Sequence, residues 1–366
     1  GLNDRPELFA DLNIIENAEQ LFYIVKIAGK STAGKYYKVK DGLKELRLNP
    51  NVTADMDFDE AMEKIQTGGA NWDAAKPFQG NFDGNGVIIS GIRTTVNHTY
   101  AALFPRIKGD VSIKNVTICN SYIYGKTAAA AIIGYQDFVP AEGQVFDIVI
   151  ENCAVYDCHI ESSHSQNGAG AIAGYIANCC NPGTGWINGN TIINNCYINL
   201  DEDHFISTTE TSGQGSHGGV VAYQGSSVMN VTNCIIIGIR PYTARNLTGD
   251  KTSGNYGWQA AKATCYGNIY TTHPCDDSYN STATTPNDFT GIAYTLTEDQ
   301  MKGAAAVANM DLDWSVWLAN ADGFPELAMM HNGETTTVDN GDGTYTVVFD
   351  VNLKETIKAM YGAKKL

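Results

Sequence analysis

Along the middle of the chain, apolar and polar positions recur in a six-residue pattern that is neither a helical stripe nor a plain alternation. Its copies are Ile89-Ser-Gly-Ile-Arg-Thr94, Ile113-Lys-Asn-Val-Thr-Ile118, Ile150-Glu-Asn-Cys-Ala-Val155, Ile193-Asn-Asn-Cys-Tyr-Ile198 and Val231-Thr-Asn-Cys-Ile-Ile236. The first column is β-branched and apolar, the third is Gly or Asn, and the fourth is Ile, Val or Cys, which suits a strand with a turn inside it. The starts are separated by 24 (89 to 113), 37 (113 to 150), 43 (150 to 193) and 38 (193 to 231) residues. A constant motif at variable spacing marks stacked units with loops of different length between them, the signature of a solenoid.

A second series alternates with the first: Ala101-Ala-Leu-Phe-Pro105, Ala130-Ala-Ile-Ile-Gly-Tyr135, Gly170-Ala-Ile-Ala-Gly-Tyr175 and Gly218-Gly-Val-Val-Ala-Tyr223. Each repeat therefore carries at least two short strands, neither able to bury its apolar side without a neighbouring copy. This predicts an all-β fold, a right-handed parallel β-helix over residues 50–290 with rungs about 4.8 Å apart. In such a coil Asn115, Asn152, Asn195 and Asn233 form a structural ladder at a bend, because Asn tolerates left-handed backbone and its amide can bond the copies above and below. Gly91 is expected at the same bend.

The flanks change pattern. Residues 18–28 read as a helix within an N-terminal capping region, 1–49. Asn17 is its N-cap, Gln20 completes a capping box, and Leu21, Ile24, Val25 and Ala28 make an apolar stripe. A second helix fits 298–308, opened by Thr297 with Gln300 three residues on, and with Met301, Ala304, Ala305 and Ala308 facing inward. With Trp314, Trp317, Leu318 and Phe324 it makes a C-terminal cap, 291–332, expected to close the far end. In 333–366, Thr335 to Val338 and Thr344 to Val351 around Asp339-Asn-Gly-Asp-Gly343 predict a β-hairpin, either a last cap or the start of an appended module.

The Gly-Ala-Ile-Ala-Gly core at 170–174 resembles the GLUG motif of secreted or surface bacterial adhesin-like repeat proteins. Phe78-Gln-Gly-Asn-Phe-Asp-Gly-Asn-Gly86 looks like the entry sequence ahead of such repeats. Asn17-Ala-Glu-Gln-Leu-Phe-Tyr-Ile and Asp322-Gly-Phe-Pro-Glu-Leu327 look like the opening helix and closing rung. The resemblance covers about residues 17–330 on the repeat reading, with Ala130 and Ala222 as mild departures. It implies architecture and a secreted or cell-surface location. It carries little chemistry, because the matched positions are structural.

Composition narrows the classes. With 40 acidic against 24 basic residues the net charge is −16, which argues against nucleic acid and anionic membrane surfaces. No stretch is apolar enough to span a bilayer. The chain starts at Gly1-Leu2, and the expectation is of a mature form without its signal or lipid anchor. Of nine cysteines, Cys153, Cys196 and Cys234 share one inward column as apolar fillers, and Cys119 and Cys158 lie in the same strands. Cys179-Cys180 and the pair Cys265, Cys275 leave disulfides open.

Candidate chemistry is sparse. Asp55, Asp57 and Asp59 alternate like a calcium loop but lack its glycine and twelfth-position glutamate. Asp83-Gly-Asn-Gly86 spells a turn. His159, His164, His217 and His273 are scattered, and no phosphate loop is present. Neither catalytic residues, a metal nor a cofactor is expected. The candidate ligand-binding residues are Asp201, Glu202, Asp203, His204 and Phe205, in the longest polar insertion, and Tyr135, Tyr175 and Tyr223. The tyrosines read either as a ladder stacked on itself or as a platform for sugar. Three classes stay open. The first is an adhesin-like binding protein with insertions at 136–147, 161–169, 177–190 and 200–217 facing a glycan or a host or matrix protein. The second is a polysaccharide lyase or glycoside hydrolase, and the third a structural stalk.

Overall fold

The computed structural model describes residues 13–65, 72, 76–94, 98–137, 146–163, 168–176, 189–207, 217–224, 228–239, 264–272, 293–320, 323–330, 336–339 and 345–349. Most of the four predicted insertions, together with Cys179, Cys180 and Cys275 and the side chain of Cys265, lies outside the described residues.

Within them the chain is mostly β and forms a parallel, solenoid-like stack. Three parallel sheets lie side by side and are visited in a fixed order. Val111–Gly125 belongs to a wide sheet, Ala128–Ala130 to a second and Ile133–Gln136 to a third. The cycle repeats with Phe146–Ser162, Ala169–Gly170 and Ala173–Ile176, then with Gly189–Asn199, His217–Gly218 and Val221–Gln224. Each strand pairs in parallel with its counterpart one turn on, as in Ile113 with Ile150, Cys153 with Cys196, and Ile193 with Val231. The apolar columns of the wide sheet, Ile113–Ile150–Ile193–Val231 and Ile118–Val155–Ile198–Ile236, meet Ile132, Ile172 and Val220 from the facing turns in one buried core. Each such side chain contributes about 1.5–3 kcal/mol of transfer free energy. Small residues recur at the start of the second series because the turn there is tight: a Cβ on Gly170 or Gly218 would collide with the carbonyl of Ala173 or Val221.

The wide sheet bends where the asparagines sit. Asn115, Asn152, Asn195 and Asn233 have φ of 56°, 53°, 53° and 54°, the left-handed region that costs other L-residues about 1–2 kcal/mol. The Asn152 amide donates to Asn115 Oδ1 at 3.1 Å and Asn195 donates to Asn152 Oδ1 at 3.1 Å. Above them Asn115 donates to Asp83 Oδ1 at 2.9 Å. Below, Asn233 donates to Asn194 rather than Asn195, at 2.9 Å. Asn85 and Asn268 also have φ of 52°, and Asn268 donates to Asn233 Oδ1 at 3.3 Å. Gly91 belongs elsewhere. Ile89 pairs with Ile118, not Ile113, so Gly91 (φ 77°) aligns with Asn120 (43°), Asp157 (47°) and Gly238 (78°) at a second bend. The six-residue pattern occurs twice within a turn, and the first copy matches the second half of its neighbours.

On the outer face a charged column crosses the turns: Lys38, Asp83, Lys114, Glu151, Asn194 and Thr232 are successive register partners. Lys114 Nζ lies 2.7 Å from Glu151 and holds that carboxyl below its usual range. Such half-exposed pairs are each worth under about 1 kcal/mol. Their alternation disfavours any shifted register.

The sheet starts earlier than the expected boundary at residue 50: Ile14–Ile15, Tyr36–Val39 and Glu45–Arg47 are already its strands. The opening helix is α over Ala18–Phe22 and widens to a π-helical stretch over Tyr23–Ala28. Asn17 Oδ1 accepts from Gln20 N at 3.0 Å, but the Gln20 side chain accepts from Glu16 N, at 2.6 Å, instead of closing the box on Asn17. The second helix is broken. Its capping box at Thr297 and Gln300 opens a 3-10 turn over Glu298–Met301, and an α-helix restarts at Gly303–Asn309. The break, with Gly303 at φ 54°, turns the stripe, so Ala306 is buried while Ala304 and Ala308 are exposed and Ala305 is half-buried.

The C-terminal segment does not simply close the far end. It runs as a strap along the outside of the wide sheet. Met301, Ala306, Met310, Leu312, Trp317 and Leu327 pack on Ile88, Cys119, Ala154, Tyr156, Tyr197, Ile235 and Tyr270, residues spread over six successive strands of the sheet. Asp311 N donates to the Tyr270 hydroxyl at 2.6 Å, and Trp317 Nε1 donates to Asn195 Oδ1 at 3.4 Å. At the other extreme, the Met329 carbonyl sits against Gly86, where a Cβ would come within 2.7 Å. The hairpin Thr336–Asp339 with Tyr345–Phe349 joins this strap, its second strand pairing in parallel with Trp317–Asn320.

Two outcomes follow. Asn152→Ala is expected to lower stability by about 2–3 kcal/mol, from the left-handed backbone and lost ladder bonds, and Asn152→Gly by less, both read as thermal midpoints. Cys119, Cys153, Cys158, Cys196 and Cys234 are free and buried, and burial pushes the Cys153 thiol up to about 12. Mass-mapped labelling with a thiol reagent is expected to leave all five unmodified in the native state and to reach them only on unfolding.

Candidate functional site

Beyond the second bend, the outer face of the wide sheet carries rings instead of apolar filler. Tyr122 and His159 are register partners on adjacent strands, and their rings stack at 4.6 Å and 11°. Ile160 pairs with Phe205, which brings His204 beside His159, with ring centroids 6.0 Å apart at 63°. Phe58, at the start of the helix Phe58–Ile65, covers His204 at 4.2 Å. That helix is capped by Asp57, whose Oδ1 accepts from Glu60 N at 2.9 Å. Its neighbour Asp55 accepts from Thr53 Oγ1. Two of the three alternating aspartates thus have local structural work, and no group of three or more His, Cys, Asp or Glu is placed to hold a metal among the described residues.

Glu161 stands two residues after His159 and so points to the same face. Its Oε2 is 3.0 Å from His159 Nε2, with the two side chains 14% and 18% exposed for His159 and Glu161. Burial first, and then the Glu161 charge, pushes the Tyr122 hydroxyl up. Asp201 heads the 3-10 turn Glu202–His204 as its N-cap, accepting from Asp203 N at 2.9 Å, and its Oδ2 lies 3.9 Å from His204 Nδ1. The corner therefore holds an imidazole paired with a carboxylate, a second imidazole and two carbocyclic rings. Such a pair can accept or donate a proton and can hydrogen-bond a polar ligand.

Of the expected site residues, Asp201, Glu202 and Asp203 are exposed, His204 is half-buried at the corner, and Phe205 is buried. Phe205 is anchored in a strand, Phe205–Ser207, that pairs with the wide sheet. The tyrosines lie elsewhere, on the third sheet. Tyr100 and Tyr135 stack at 4.1 Å and 16°, and Tyr135 and Tyr175 at 4.9 Å and 23°. The Tyr223 backbone is in register with Tyr175; its side chain is outside the described residues. A ring with neighbours on both faces, as Tyr135 has, offers only its edge to a ligand. Arg106, the register partner of Tyr135, is held by a two-point ion pair to Asp137, with Nε at 2.8 Å and Nη2 at 2.5 Å. Sequence reasoning had Tyr122 only as one of several strand tyrosines and Glu161 only as the first residue of the insertion 161–169, and it missed Phe58. The Tyr122–His159 pairing was accessible in principle, since the two differ by 37 (122 to 159), the spacing of the motif copies at 113 and 150.

No family model matches the chain, and no curated protein does either. A solved structure described as a "putative immunoglobulin A1 protease" from Bacteroides ovatus is similar at 15% identity with a TM-score of 0.45, over 87% of this chain and 93% of that one.

His204→Ala is expected to leave the fold intact and to cost about 0.5–1.5 kcal/mol through loss of the ring contact with Phe58, measured by chemical unfolding. A loss beyond about 3 kcal/mol would show that the turn supports the sheet and is not a surface feature of it.

Proposed function

We propose that this chain is a right-handed parallel β-helix of GLUG-type repeats that works outside the cell or on its surface as an adhesin-like binding protein. We place its ligand, a glycan or a host or matrix protein, at the corner built by Phe58, Tyr122, His159, Glu161, Asp201 and His204. One observation carries this reading. The bends and strand columns spend their polar groups on the turns above and below, whereas this corner gathers partly exposed imidazoles and carboxylates from two separate segments of the chain. Binding groups on loops held by a rigid scaffold are the common arrangement. The stacked tyrosines support it from the other side, because Tyr135 has a ring on each face and is unsuited to lie under a sugar.

A second reading rests on the His159–Glu161 pair, whose 3.0 Å contact is within hydrogen-bond reach. A polysaccharide lyase or hydrolase would use it as acid or base. A glycosidase would further need two carboxyl groups about 5–9.5 Å apart on one groove.

An array of purified polysaccharides, host glycans and matrix proteins, read for both binding and product release, tests these readings. Wild type is compared with His159→Ala/His204→Ala and with a deletion of 208–216 that spares the paired strand Phe205–Ser207. The expected result is at least about tenfold weaker binding, about 1.4 kcal/mol, in the double variant and no product from any form. Unchanged affinity in both variants moves the site elsewhere. Release of unsaturated or reducing sugar that disappears in His159→Ala establishes the enzyme reading, and no binding to anything on the array leaves the stalk.

A further inference from the structure

We propose that the C-terminal strap is a pH-operated cover over the flank of the wide sheet, latched through the Glu326 carboxyl and released when that carboxyl ionises. Glu326 is 2% exposed although it lies in a segment that ends at the surface. It pairs with Leu318 across the short antiparallel ladder Trp317–Leu318 with Glu326–Leu327, between Trp317 and Leu327, which are 0% and 1% exposed. The strap thus closes over an acid at its centre.

The polar groups that act on that acid come from the strap and from the wide sheet. Asn320 faces it from the strap and favours its charged form. Tyr197, from Gly189–Asn199, lies within its electrostatic reach, and Asp157, from Phe146–Ser162, acts on the same tyrosine. Tyr156, beside Asp157, belongs to the same apolar layer. Burial, and after it the Glu326 charge, pushes the Tyr197 hydroxyl up, so that phenol stays neutral beside the acid. Burial pushes the Glu326 carboxyl well above its ordinary range, against the smaller influence of Asn320.

The sign follows from linkage. A carboxyl whose value is raised in the docked state favours docking fully below its value when released, 4.5, and loses that contribution as pH rises toward the docked value. Within that window docking weakens about tenfold for each pH unit. Release would bare Tyr156, Tyr197, Ile235 and Tyr270, a continuous apolar flank now covered by Met310, Leu312 and Trp317. It would also free the Asn195 oxygen that Trp317 now engages.

Acrylamide quenching of tryptophan fluorescence on the full chain tests this, with Trp317→Phe used to assign the Trp317 contribution. In wild type the Trp317 contribution is expected to become accessible as pH is raised from about 5 to about 9, and to be shielded again on return to acid. In Glu326→Gln, which keeps shape and hydrogen-bonding capacity without charge, accessibility is expected to stay low and flat. Far-UV circular dichroism should hold throughout, since the strap moves and the coil does not. A flat wild-type titration overturns the latch without reference to any variant. An equal rise in Glu326→Gln overturns the assignment to this carboxyl.

Discussion

Everything in this molecule depends on vertical registry between turns of the chain. A parallel stack has no hairpin to set its alignment, and the loops between wide-sheet strands vary in length, so registry must come from the columns themselves. At the first bend this is achieved by asparagine, which accepts the left-handed backbone and bonds the copy one turn away. At the charged column it is reinforced by Lys114 and Glu151. Once those columns align, the isoleucines, valines and buried thiols of neighbouring turns fall on top of one another, and the core is filled without further specification. The second bend, with Gly91, Asn120, Asp157 and Gly238, shows the same requirement met with mixed residues. Positive φ is the constraint, and side-chain bonding is an addition to it.

The outer surface has its own logic. A strand in such a parallel stack shows one side to the core and the other outward, and in the wide sheet the outward side between the two bends is still apolar: Ile88, Cys119, Ala154, Tyr156, Tyr197 and Ile235. Such a stripe needs a cover. The strap supplies one, with Trp317 contacting the asparagine ladder where the bonding pattern shifts. Asn195 takes the indole hydrogen, and Asn233 turns to Asn194. A segment more than 100 residues away in sequence thus interrupts a local repeat (Asn195 to Trp317, 122 positions).

Beyond the second bend the outward side changes character from apolar filler to rings and titratable groups. The helix Phe58–Ile65, which leaves the wide sheet after Glu45–Arg47, and the turn at 201–204, which leaves it after Gly189–Asn199, converge there through the contact of Phe58 with His204. The result is a half-covered corner, sheltered enough to fix the imidazole of His159 and open enough to leave Asp201 in water. That combination is the physical basis for proposing a ligand site there.

The sequence by itself determined the repeating unit: apolar columns of β-branched residues, asparagines at one bend, small residues opening the second series, and hence a parallel solenoid-like fold. Those features are local or repeat at fixed positions within a turn, and the physical requirement is the same in every copy. The polar run from Asp201 to Phe205 also stands out in the sequence, whereas His159 has no partner visible there. Phase within a turn was not legible, because Ile89-Ser-Gly-Ile resembles both halves of its neighbours; only pairing with Ile118 resolves it. The path of the strap, the break at Lys302 and Gly303, and the meeting of Phe58, Tyr122, His159 and His204 were decided by tertiary structure alone. Each depends on which surface a distant segment finds uncovered. That is set by how the stacked turns add up in space, and no window of the chain contains it.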